Sequence, residues 1–146
     1  MRKFGILLGV LLLALTFARS AAAMMPPLPL DEAVRQADII VVGKLGPAEK
    51  APDAGQWLVA VLKVEKVVKG AAELKEIRVA MYPNPPPPGG MHLPEGTAGV
   101  FLLRLLPKEY VKDAQTPIYQ PGRLPVVLEA DQLRAVEAAL SKGKGE

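Results

Sequence analysis

Trp57-Leu58-Val59-Ala60-Val61-Leu62-Lys63-Val64-Glu65-Lys66-Val67-Val68-Lys69 is the stretch that decides the fold. Leu58, Ala60, Leu62, Val64 and Val68 share one face at the two-residue period of a strand, interrupted only by Lys66. The other face starts apolar at Trp57, Val59 and Val61 and turns polar at Lys63 and Glu65. An apolar face backed by a half-covered one predicts a long strand curving through a barrel wall. Gly70 ends it.

Upstream, Ile39-Ile40-Val41-Val42 is a dense β-branched run closed by Gly43, which predicts a strand buried on both faces. Gly46, Pro47, Pro52 and Gly55 predict the loop that follows. Asp31 is expected to cap a short helix to about Ala37, with Leu30, Val34 and Ala37 inward. Downstream, Ile77, Val79 and Met81 alternate with Arg78 and Ala80 in a strand over Ile77–Tyr82. Pro83–Gly90 must be polyproline-like and then flexible. Thr97–Leu106 is a further apolar strand stopped by Pro107, and Lys108–Pro117 a loop or short helix. Ile118-Tyr119 and Leu124–Leu128 are short strand candidates, the second held to an edge or bulge by Pro125. Asp131 is expected to cap a last helix to about Leu140, with Leu133, Val136, Ala139 and Leu140 inward.

These elements show no alternation of strand and helix, which argues against a parallel sheet. They predict a mainly β fold: a five-stranded OB-like barrel with a short N-terminal helix and a C-terminal helix. A β-sandwich is the alternative. One domain is expected over residues 24–141, with a loose tail over 142–146.

The N-terminus carries a different message. Arg2 and Lys3 precede an uncharged apolar run from Phe4 to Ala18, and Ser20-Ala21-Ala22-Ala23 offers an A-x-A cleavage pattern. The run is shorter than a membrane-spanning helix requires, and Pro26, Pro27 and Pro29 block its continuation. Residues 1–23 read as a secretory signal peptide rather than an uncleaved anchor. The expected destination is periplasmic or extracellular, with no transmembrane span after cleavage.

Removing residues 1–23 from the 146 leaves 123, enough for one domain with its own core. Arg2, Lys3 and Arg19 leave with the leader, so 15 basic residues face 15 acidic ones and the mature charge is zero. The whole-chain pI of 9.2 therefore belongs largely to the leader. A basic nucleic-acid binder, which works through excess Lys and Arg, is disfavoured. There is no cysteine, so packing alone must stabilise the fold.

Three segments together resemble a known family. Ala37-Asp38-Ile39-Ile40-Val41-Val42-Gly43-Lys44-Leu45 follows a short helix, Val64-Glu65-Lys66-Val67-Val68-Lys69-Gly70 comes next, and Gly96 precedes Val100-Phe101-Leu102-Leu103. In this order and spacing they resemble the netrin-like modules of tissue inhibitors of metalloproteinases, and small exported bacterial proteins on that pattern. The resemblance covers about Leu30–Leu106 and implies an OB barrel. It does not carry protease inhibition. Those inhibitors set an N-terminal cysteine over the protease zinc, whereas this chain has no cysteine and its mature start is Met24-Met25-Pro26.

The inventory of reactive side chains points away from catalysis. Beyond residue 23 there is one His (His92), one Ser (Ser141) and two Thr (Thr97, Thr116). A Ser-His-Asp triad would have to use Ser141 in the tail, a cysteine nucleophile is excluded, and a His/Cys zinc site lacks its ligands. No phosphate-binding glycine loop is present, and no catalytic residue, metal site or cofactor is expected. Asp31 and Glu32 suit a helix N-terminus, Asp38 and Glu95 turns. Lys63, Lys66 and Lys69 read as a solvated strand edge rather than an anion stripe. A carboxylate-dependent enzyme using Tyr82 or Tyr119 is the disfavoured class.

Binding residues are expected around the proline run. Pro85, Pro86, Pro87 and Pro88, flanked by Tyr82 and Met91, form a stiff projection of the kind that docks into aromatic grooves at small entropic cost. A rigid spacer between strands is the competing reading. His92 is either a ligand contact or an ordinary loop histidine, and Trp57 either a barrel-end core residue or a stacking platform. The reading is an exported, non-enzymatic binding or interaction module. Its expected partner is an envelope or extracellular protein. The alternative is a structural or assembly protein docking through Pro83–Gly90.

Overall fold

The computed structural model describes residues 28–88, 90–122 and 127–145. The expected leader, the mature start and Pro125 lie outside the described residues. In chain order the elements are α1 (Leu30–Gln36), β1 (Ile39–Lys50), a 3-10 turn (Pro52–Ala54), β2 (Leu58–Lys69), β3 (Glu76–Met81) and β4 (Ala98–Leu105). Then come β5 (Ile118–Pro121), β6 (Val127–Leu128), a second 3-10 turn (Ala130–Gln132) and α2 (Leu133–Gly143).

The strands run β1-β2-β3-β5-β4, and β4 pairs back onto β1 to close a five-stranded barrel. All these pairings are antiparallel except β3 with β5. This is the five-stranded OB-like barrel expected from the sequence, with a short helix before it and a helix after it; its mixed character, from the parallel β3–β5 pairing, is a departure from that expectation. β6 adds to β4 outside the ring, as an edge strand.

Alternate residues of the same strands serve two cores. Ile39, Val41, Leu45, Ala60, Leu62, Ile77, Val79, Met81, Phe101 and Leu103 fill the barrel. Ile40, Val100 and Leu102 point the other way and bury against Ala33, Val34 and Ala37 of the α1 region and Val136 and Ala139 of α2. A third cluster, Ala54, Val59, Ala80, Leu106, Val111 and Ile118, seals the loops after β1 and β4.

β1 does not stop at Gly43 but runs on to Lys50. Gly46 and Pro47 lie inside the strand, at an irregularity where the register against β2 shifts between Leu45 and Ala48. A bulge tolerates both residues because pairing lapses there. Gly43 faces Gly99 across the β1–β4 seam. A Cβ on Gly43 would lie 2.3 Å from the Lys63 carbonyl oxygen, and one on Gly99 would lie 2.4 Å from that of Leu128. Gly99 also holds φ +149, a region that favours glycine. The glycine pair lets β2 and β6 close in from opposite sides.

Two irregularities in β2 revise its face assignment. The register slips between Val42 and Gly43 and again between Ile40 and Val41, each time leaving one extra residue on β2. Past the first slip the parity changes: Val67 packs toward the barrel and Val68 toward the helices. Side chains alternate strictly only while pairing is regular, and each extra residue resets the count.

The capping expectations also change. Pro29 stands at the N-cap of α1, with Asp31 and Glu32 in the first turn and no side-chain cap bond. Gln132, not Asp131, precedes α2, which reaches Gly143, beyond the expected Leu140 and into the expected tail. The carboxylates of α1 still sit where the helix dipole favours them. The inward residues of both helices are as expected: Val34, Ala37, Val136 and Ala139 are buried, and Leu30, Leu133 and Leu140 half-buried.

Candidate binding site

The site grows from the end of the β2–β3 ladder. Leu58 pairs with Met81, so Trp57 and Tyr82, one step further out, face each other across the strands. Their rings lie 4.6 Å apart at 51°, an aromatic cross-strand pair. Both are half-buried, on the outer side of the wall. Trp57 packs on the Ala54–Ala80 cluster rather than in the barrel, and its N–H donates to the Ala54 carbonyl at 3.1 Å.

The proline loop leaves from this pair and returns to it. Tyr82 N–H donates to the Met91 carbonyl at 3.1 Å, closing the loop at its base. His92 Nδ1 lies 2.7 Å from the Tyr82 carbonyl, so this nitrogen carries the proton it donates. Gly90 N–H donates to the Pro87 carbonyl at 2.8 Å. A Cβ on Gly90 would fall 2.6 Å from Tyr82 Cδ2 and 3.0 Å from Pro87 Cδ, so only glycine fits between the ring and the proline. Pro85, Pro86, Pro87 and Pro88 are all exposed. Leu93, just beyond His92, packs onto the barrel core and anchors the returning segment.

Beside the aromatic pair lies a groove of about 200 Å³ lined by Trp57, Tyr82, Met91, Gln120 and Pro121, among others. The sequence pairs Tyr82 and Met91 as flanks of the proline run and offers His92 and Trp57 separately; the fold brings all four to one end. It missed Gln120 and Pro121, which β5 contributes through its parallel pairing with β3. No local signal marks a pairing between segments so far apart in sequence.

Several ionisable groups elsewhere serve the structure. Arg78 makes a two-pronged bond to Asp53, with both N–O distances 2.6 Å, and reaches Thr116 Oγ1 at 3.1 Å. This ties the loop after β1 and the loop after β4 to β3. The Arg78 hydrogen bonds hold the Asp53 carboxyl below its ordinary range, and Asp53 in turn raises Arg78. Bonds from Gln36 and Arg35 lower Glu32 in the same way. Asp38 lies in the bend before β1, as expected, and from there accepts from the Leu105 N–H at 2.8 Å, which also secures the end of β4. Burial, then the Asp38 charge, push the Tyr119 phenol up.

The three lysines of β2 have separate fates. Lys66 pairs with Glu137 of α2 at 2.8 Å. Lys69 donates to carbonyls of Val34, Arg35 and Ala37, closing the C-terminal end of α1. Lys63 is exposed, opposite Lys44 on one side and Glu76 on the other. Among the described residues no three His, Cys, Asp or Glu side chains cluster as metal ligands. Nor is any described helix long and apolar enough to cross a membrane. No protein-family model matches the chain, and no curated protein is found to be similar to it.

Proposed function

We propose that this chain is an exported, non-enzymatic interaction module of netrin-like build that engages an envelope or extracellular protein through the end bearing Trp57, Tyr82 and the proline loop. The observation that supports it is the fastening of the loop. A spacer needs only to connect two strands. This loop is closed by a backbone bond, stapled by His92 and wedged by Gly90 against Tyr82, while its four prolines stay exposed. An apolar segment held rigid in solvent loses little entropy on docking.

The test is crosslinking capture from an envelope extract. The full chain is expressed with its leader, beside a version in which Gly and Ser replace Pro85–Pro88. Mass analysis of the exported product gives the cleavage point. A partner retained by the native loop and lost with the replacement supports the reading. Identical catches, or retention of the protein in the cytosol, overturn it.

A further inference from the structure

A second groove lies on the helical side, at the opposite end of β2 from Trp57. There the last turn of α2 passes α1 and leaves a space of about 470 Å³. Its floor is apolar. Val34 is buried, while Val68 and Leu140 are half-buried and keep surface that the helix-side core does not cover. Gly143 forms part of the wall, and a Cβ there would meet nothing within 4 Å, so the groove is open on that side. The charged lining is of one sign: Arg35, Lys69 and Lys144, with no carboxylate. Arg35 is paired with Glu32. Lys69 donates to uncharged carbonyls at the end of α1, which leaves its charge without a counter-ion. Lys144 forms no ion pair among the described residues. In the recess alongside, Lys142 adds a cation and Asp31 an anion. The mature charges sum to zero, so this is a local excess of positive charge.

We propose that this groove binds a single-chain anionic amphiphile, a long-chain carboxylic acid. Its alkyl chain lies along Val34, Val68 and Leu140, and its carboxylate meets Lys69 and Lys144. The volume falls within the range of about 300–1,000 Å³ of small-molecule sites, which pair an apolar lining with a few polar groups that orient the ligand. An alkyl chain gains by covering the floor, and an anionic head is the complement of the rim. A protein partner fits less well. The exposed large hydrophobics, Val61, Leu105 and Tyr110, all lie outside the groove, so it has no apolar margin on which a second protein surface could spread. The site shares no residue with the end that bears the proline loop, and the two roles stand or fall separately.

Isothermal titration of the purified exported protein with octanoate, decanoate and dodecanoate, each below its micelle concentration, tests it. Saturable binding is expected, and each added methylene should tighten it about twofold to fourfold, the upper figure for complete burial. A decyl chain with a trimethylammonium head should bind at least about tenfold more weakly than decanoate, because the rim repels it. Gly143→Leu places a side chain at the open wall and favours the helix, so it should weaken decanoate binding about tenfold while the fold is kept. Lys144→Glu should weaken it about fivefold and remove most of its salt dependence. Circular dichroism and the melting curve check that both variants fold. The proposal is overturned by the absence of saturable binding, by equal affinity for the two head groups, or by affinities indifferent to chain length. Parental affinity in both variants overturns it too. So does association with anionic vesicles in the absence of binding to monomeric dodecanoate, which would assign this face to a lipid surface.

Discussion

Gly43→Ala tests the closure of the barrel at its tightest point. The new Cβ would lie 2.3 Å from the Lys63 carbonyl oxygen, against a practical minimum of 3.0 Å, so β1 and β2 must part by about 0.7 Å. The obstacle is backbone, which cannot rotate away as a side chain does. Overpacking of this kind costs about 1–3 kcal/mol, and a rigid neighbour places Gly43→Ala at the upper end. Alanine also narrows the unfolded ensemble, returning about 0.4–1 kcal/mol. The net expectation is a loss of about 2 kcal/mol, or a fall in Tm of about 8 °C for a domain of this size. Urea unfolding should show a lower midpoint at an unchanged slope. Gly46→Ala is the control. Its Cβ would lie 3.1 Å from the Val61 carbonyl oxygen, at a bulge that has room to give, and should cost under about 1 kcal/mol. A Gly43→Ala protein within about 0.5 kcal/mol of the parent, or no weaker than Gly46→Ala, would refute this account of the seam.

Other expectations follow from the same geometry. Phe101→Ala removes a ring with no exposed surface from the barrel core and should cost about 3–5 kcal/mol by chemical denaturation. Lys69→Ala should lose about 0.3–1 kcal/mol through the end of α1, whereas Lys66→Ala, breaking an exposed pair, should stay under about 1 kcal/mol and fade in salt. The Asp53 carboxyl is depressed in the folded state, so its contribution is present above the ordinary carboxylate value near pH 4 and disappears as pH falls through the depressed one. Acid unfolding of Asp53→Asn should therefore depend less steeply on pH in that window, and an unchanged acid profile would contradict the Arg78 clamp. His92→Ala should leave the melting curve nearly unchanged but raise the mobility of Trp57, the sole tryptophan, in fluorescence anisotropy; unaltered anisotropy would show that the staple does not hold the loop.

The barrel was legible wherever side chains obeyed strict alternation. Ile77, Val79 and Met81 fall on the barrel side as their spacing predicts, and Val100–Leu103 lie where the apolar run placed them. Legibility failed at bulges. Gly46 and Pro47 read as a loop because the sequence cannot show that pairing resumes at Ala48. Val68 falls on the face opposite to the one its spacing predicts, because nothing in Val64–Lys69 announces the two extra residues on β2. Helix starts differ from expectation for another reason: Asp31 and Asp131 satisfy a capping preference, but Asp31 lies inside the first turn of α1 and Asp131 inside the 3-10 turn that precedes α2. At the candidate site the aromatic residues and the prolines were each visible by type. Their union depended on the β2–β3 register, and Gln120 and Pro121 on a parallel pairing that no short-range pattern encodes.

The strand Ile39-Ile40-Val41 carries a constraint that reaches past stability. Ile39 and Val41 answer to the barrel, Ile40 to the helices, and all three are fully enclosed. A substitution accepted by one core cannot be offset by rearranging the other, because adjacent residues on one backbone must move together. Over evolutionary time such a segment has almost no neutral neighbours, while the exposed prolines of the loop change without consulting either core. A lineage built on this fold would therefore keep its β1 and diversify its loop. Divergent relatives should be recognisable by that strand even after the surface that meets their partners has become unrecognisable.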